Sequence, residues 1–164
     1  ASTTKVLTAW GVLTALGPDH RFTTQVRRSG NTVVLVGGGD PYLLEKSVSR
    51  PWAGASIEYL ADKTAAKLDT KTVRVEYDDS LFSGANINPT WPTRFVPMTV
   101  QPITALNTRK VPAYSRTPSA DAANQFAAAL KKRGLTVSSV SAGKSTKNSE
   151  LLVAGKSAPL SEIA

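Results

Sequence analysis

The chain has 164 residues, 41% hydrophobic and 20% charged, which allows one domain or two small ones with a real core and excludes a disordered chain. It has no cysteine and one histidine, His20. Disulfides, thiolate metal sites and cysteine nucleophiles are therefore excluded, and any His-based triad would hang on one residue. The net charge of +8 favours anionic partners. From Lys131 to Lys156, however, six basic residues and one acid occur with no aromatic side chain among them, so nucleic-acid binding is not expected.

In chain order, Thr4 to Leu16 is predicted as a helix, because Val6, Leu7, Trp10, Val12, Leu13 and Leu16 recur near a helical period. Gly17-Pro18 stops it. Phe22 to Arg28 and Thr32 to Val36 read as strands joined by a hairpin turn at Ser29-Gly30-Asn31. Gly37-Gly38-Gly39-Asp40-Pro41 is a turn. Ser56 to Leu68 reads as a helix with Ile57, Leu60, Ala61, Ala65 and Leu68 on one face. Thr72 to Tyr77 alternates as a strand, with Val73, Val75 and Tyr77 on one side.

Asp78 to Pro97 reads as a long loop carrying Phe82, Trp91 and Phe95. Met98 to Leu106 is expected to form a strand interrupted at Pro102, at an edge or bulge. Val111 to Pro118 is a connector. Ser119 is expected to cap a helix from Ala120 to Arg133, closed by Gly134. Thr136 to Val140 and Glu150 to Ala154 are short strands around a basic loop, and Ser157 to Ile163 looks like the start of a further helix. No apolar run approaches the roughly 20 residues that span a bilayer.

One motif carries chemistry. Ser2-Thr3-Thr4-Lys5 puts a hydroxyl and an amine three positions apart at the head of the first helix, within about a turn of each other. Ser2 would lie at the positive helix end. A serine nucleophile with a lysine base needs this arrangement. The spacing alone is weak, since about one chance match is expected in such a chain. A second match, Ser141 to Lys144, lies in a Gly-containing loop and is set aside. Gly37-Gly38-Gly39-Asp40 lacks dinucleotide-binding spacing, and Gly143-Lys144-Ser145 lacks the upstream Gly of a phosphate loop. Glu76, Asp78 and Asp79 fit an exposed strand end better than a metal site, and His20 fits a loop. No metal or cofactor is expected.

Taken together, Ala1-Ser2-Thr3-Thr4-Lys5, Leu16-Gly17-Pro18-Asp19-His20-Arg21-Phe22-Thr23-Thr24, Leu35 to Pro41, Val75 to Phe82, Asn88-Pro89-Thr90-Trp91-Pro92 and Ser157 to Ile163 resemble a known family. It is the penicillin-binding D-alanyl-D-alanine carboxypeptidases/endopeptidases of peptidase family S13, which carry large insertions after Ser-x-x-Lys. The resemblance implies an α/β (α+β) fold: part of a β-lactamase/transpeptidase-like domain plus an inserted mixed α/β module. Residues 1–28 would be the transpeptidase-like part with the Ser-x-x-Lys helix, 29–156 the insertion, and 157–164 the return to the first domain.

The same resemblance implies Ser2 as the acylated nucleophile and Lys5 as its base. The substrate would be the D-Ala-D-Ala end of a peptidoglycan stem peptide, with β-lactams as covalent inhibitors. Location would be extracytoplasmic, with peripheral association with the cell envelope. Such enzymes also need Ser-x-Asn and Lys-Thr-Gly. Here Ser29-Gly30-Asn31 sits in a hairpin turn, and the closest relative of the second is Lys63-Thr64-Ala65, inside a helix. The chain is therefore expected to be an internal piece of such an enzyme, inactive alone. The alternative is a non-catalytic envelope module that binds wall polymer through a basic face including Lys131, Lys132 and Arg133.

Overall fold

The computed structural model of the protein describes residues 3–109 and 114–164. Its elements are α1 (Thr3–Leu16), β1 (Thr23–Ser29), β2 (Thr32–Val36), α2 (Ile57–Lys67), β3 (Thr72–Asp78), α3 (Phe95–Met98), α4 (Pro118–Lys132), β4 (Thr136–Ala142), β5 (Glu150–Lys156) and α5 (Leu160–Ile163). The fold is α/β, with one mixed sheet in the order β4-β3-β2-β1-β5. β1 pairs antiparallel with β2 and with β5, whereas β2–β3 and β3–β4 are parallel. A hairpin thus starts the sheet. Two crossovers through α2 and α4 then extend it on one side, and β5 returns to close the other.

The helices lie on one face because their apolar positions recur at three and four residues. Ile57, Leu60, Ala61 and Thr64 of α2 are buried, as are Ala122, Ala123, Phe126, Ala127 and Leu130 of α4. They meet Val26, Val33, Leu35, Val73, Val75 and Leu152 from the strands in one continuous core. Strand alternation places Val73 and Val75 there, with Tyr77 packed at the margin. Ser56 caps α2, its hydroxyl accepting from the Tyr59 N–H at 3.0 Å.

Two expectations change. Ser119 does not cap α4. The helix starts two residues earlier, at Pro118, whose fixed φ suits a first helical position, and the buried Ser119 hydroxyl instead donates to the Leu106 carbonyl at 3.0 Å. Met98 to Leu106 forms no strand. Pro97 and Pro102 supply no N–H, and Met98 and Ile103 are exposed. The segment serves as a tether: Ala105 and Leu106 are buried, and the Ala105 carbonyl accepts from the Gly39 N–H at 2.8 Å. Of the expected connector, residues 111–113 lie outside the described residues.

The Gly37-Gly38-Gly39 turn is dictated by close approach. A Cβ on Gly38 would lie 1.9 Å from the Thr23 carbonyl oxygen, so any larger residue would have to displace β1.

Phe126 is fully buried at the centre of the helix–sheet interface. Phe126→Ala should cost about 3–5 kcal/mol, from lost burial and the cavity left behind. Urea unfolding followed by circular dichroism measures it, and a cost under about 1 kcal/mol would contradict this placement of the core.

Candidate active site

α1 carries the sequence-predicted chemistry. Lys5 lies in its first turn and is exposed; Ser2 lies outside the described residues, as does Ala1. The helix has no buried residue. Val6, Leu7 and Trp10 are 69%, 66% and 68% exposed, and only Ala9, Val12 and Leu13 are half-buried. A helix apolar on nearly all sides belongs to a core rather than a surface. Among the described residues, none supplies that core.

The end of α1 is better anchored. Gly17 takes φ 86°, which a side chain would resist, and its N–H donates to the Leu13 carbonyl at 3.0 Å. Residues 18–22 then run beside 157–161. Phe22 and Ser157 exchange bonds: the Phe22 N–H donates to Ser157 Oγ and the Ser157 N–H to the Phe22 carbonyl, both at 2.9 Å. The Leu160 and Ser161 N–H groups donate to the carbonyls of His20 and Pro18, again at 2.9 Å. Arg21 Nη1 donates to the Ser157 carbonyl at 2.8 Å. His20 stacks edge-on against Phe22, with ring centroids 5.0 Å apart, and so serves as a loop residue here.

The set-aside motifs have structural occupations. Ser29-Gly30-Asn31 belongs to the β1–β2 hairpin, with Ser29 paired to Thr32. Lys63 and Thr64 lie within α2, and Thr64 is fully buried. Arg133 pairs with Asp62, while its other nitrogens donate to the carbonyls of Ala129 and Glu58 at 2.8 and 3.3 Å. It therefore ties α4 to α2 rather than standing on an open basic face. Among the described residues, no three His, Asp or Glu side chains gather in a group able to hold a metal.

Asp78 is where sequence reasoning missed a role. It is buried, not an exposed strand end. Its Oδ1 accepts from Ser80 Oγ at 2.6 Å and the Ser80 N–H at 3.0 Å. Its Oδ2 accepts from the Ser145 N–H at 2.8 Å, and its carbonyl from the Gly37 N–H at 2.8 Å. One residue thereby fixes three loops at one end of the sheet. Burial works to raise its carboxyl pKa, but the hydrogen bonds from Ser80 and Ser145 and the charge of Lys144 outweigh it, holding the group below its ordinary value. The Asp-x-Ser spelling of an Asx turn was the available signal. Asp40 goes the other way: burial pushes its carboxyl up, offset in part by the Tyr42 N–H donating to Oδ1 at 2.8 Å.

The profile of the D-Ala-D-Ala carboxypeptidase 3 (S13) family matches residues 1–108. The chain belongs to this family. It is 33% identical over 180 aligned positions to Carboxypeptidase Rv3627c of Mycobacterium tuberculosis (strain ATCC 25618 / H37Rv), covering 98% of this chain and 37% of that protein. Its fold is that of penicillin binding protein 4 from Haemophilus influenzae, at a TM-score of 0.70 and 16% identity, covering 98% of this chain and 51% of that one. The same protein complexed with a β-lactam matches at 0.53 and 18%, covering 98% and 50%. The S13 chain described here thus spans about a third of the curated relative and half of the solved one.

Because the folded pKa of Asp78 is depressed, its charge contributes stability that is fully present above the unfolded value of about 3.9 and lost as pH falls through the lower folded value. Asp78→Asn, whose single amide oxygen cannot accept from both Ser80 and Ser145, should cost about 1–3 kcal/mol at pH 7. The difference from the wild type should close as pH falls below about 4. Urea melts across pH 2–7 test this; a pH-independent gap would contradict it.

Proposed function

We propose that this chain carries the nucleophile helix of a serine D,D-carboxypeptidase/endopeptidase acting on peptidoglycan stem peptides in the extracytoplasmic space. Ser2 is the acylated nucleophile. Its hydroxyl attacks the carbonyl of the terminal D-Ala-D-Ala bond as Lys5 takes the hydroxyl proton; the peptide C–N bond breaks, the proton passes to the amine of the departing D-Ala, and water then hydrolyses the Ser2 ester to release the shortened peptide. Backbone N–H groups, that of the nucleophile among them, are the oxyanion donors. β-Lactams acylate the same hydroxyl.

Membership of the S13 family supports this reading. The observation that carries it is α1 itself: Lys5 sits in the first turn, three residues after Ser2, on a helix whose apolar sides lie open. The surface that covers α1 is the remainder of a transpeptidase-like domain, consistent with the share of its relatives that the chain spans. Residues 1–28 and 157–164 are its two pieces here, and 29–156 the insertion. The side-by-side course of 18–22 and 157–161 favours this division, since an inserted module leaves and rejoins its host at one place. β1 runs from Thr23 to Ser29, so all of this strand but Ser29 falls in the flanking piece and the sheet is shared between the two.

The site is incomplete within these residues. The Ser-x-Asn spelling forms a hairpin turn and the nearest relative of Lys-Thr-Gly is locked inside α2. Incubated with a fluorescent penicillin, the 164-residue chain should label far below one equivalent. In a protein that joins it to both missing motifs, labelling should reach one equivalent and vanish in Ser2→Ala. Stoichiometric labelling of the short chain would contradict incompleteness, and labelling that survives Ser2→Ala would contradict the nucleophile.

A further inference from the structure

β5 is an outer strand of the sheet, and its outward edge is covered unevenly. Backbone groups alternate along a strand. The Ser157 N–H turns inward to Phe22, so Lys156 and Ala154 turn outward; beyond them the ladder shifts register between Val26 and Arg27 and Leu152 is the extra residue. The Lys156 carbonyl accepts from the Ala55 N–H at 2.9 Å, and the Leu152 carbonyl accepts from Lys67 Nζ. Between these two covered positions, the N–H and C=O of Ala154 meet no partner among the described residues.

This gap opens into a cleft of about 400 Å³ lined by Ser47, Gly54, Tyr59, Ala154, Gly155 and Lys156, together with Ala55. Its walls are small near the strand, so another backbone can approach. Tyr59, 38% exposed, offers a ring and a hydroxyl. Lys156 is exposed and takes part in neither ion pair formed among the described residues, which join Arg28 to Asp69 and Arg133 to Asp62. A donor–acceptor pair of strand geometry, the Lys156 ammonium and an aromatic wall, whose Tyr59 ring has Lys63 Nζ 5.8 Å from its centroid, lie together.

We infer that this cleft binds a short extended peptide bearing a free carboxylate, its backbone pairing with Ala154 and its carboxylate meeting Lys156. Strand addition supplies affinity through main-chain hydrogen bonds. The lysine ammonium supplies preference for the acid as a point charge. The inference uses neither Ser2 nor Lys5 and stands apart from the assignment of the nucleophile.

The probe is N-acetyl-trialanine as the free acid, with its C-terminal amide for comparison, titrated into the ¹⁵N-labelled 164-residue chain. The acid should shift the amide signals of Ala154, Gly155 and Ala55 in a saturable way, and the amide should bind about two- to fivefold more weakly, the range of an exposed ion pair. Lys156→Met, which keeps the stem and removes the charge, should abolish that preference. Ala154→Pro should abolish binding of both, its signal dispersion reporting whether it folds. Equal binding of acid and amide, unchanged preference in Lys156→Met, or shifts confined to other residues would overturn the inference. So would the absence of any saturable shift.

Discussion

The pairing of β1 with β5 is the constraint on which the rest depends. Thr23 lies opposite Lys156 and Val26 opposite Val153, although more than a hundred residues separate the partners. That closure places α2 over the two strands and completes the core with Leu152. It also brings residues 18–22 against 157–161, so both ends of the sheet module emerge at one place. A loop this long costs little more to close than one of half its length. The antiparallel ladder and the apolar surface beneath it outweigh that cost.

α1 stands in contrast. Its sequence is a good helix with a firm stop at Gly17, yet its apolar residues reach solvent on nearly every side. Fourteen residues are marginal for an isolated helix in water. The feature that makes α1 a poor surface helix makes it a good buried one.

Much of the fold was legible because periodicity reports burial. The three-and-four spacing of Leu60 and Ala61, and of Phe126, Ala127 and Leu130, gave α2 and α4, and alternation at Val73 and Val75 gave β3. The tether at 98–106 differs from the expected strand because its apolar residues suggest one, whereas Pro102, and Pro97 just before the segment, supply no N–H to a ladder. Asp78 was misread because alternation says where a side chain points, not which later loop will cover it; Ser145 arrives 67 residues on. For the site, spacing and family resemblance point to Ser2 and Lys5, whose roles stand as a proposal. The cleft beside Ala154 was not, since it depends on which edge groups Ala55 and Lys67 happen to cover.

The central claim is that the sheet module is self-supporting while α1, which carries Lys5, depends on a covering surface outside the described residues. Hydrogen exchange of the 164-residue chain tests it residue by residue, since protection reports local opening. Amides of Val26, Leu35, Val75 and Val153 should exchange only on global unfolding. Those of Val6 to Leu13 should exchange orders of magnitude faster. Protection of α1 equal to that of the sheet would contradict the account.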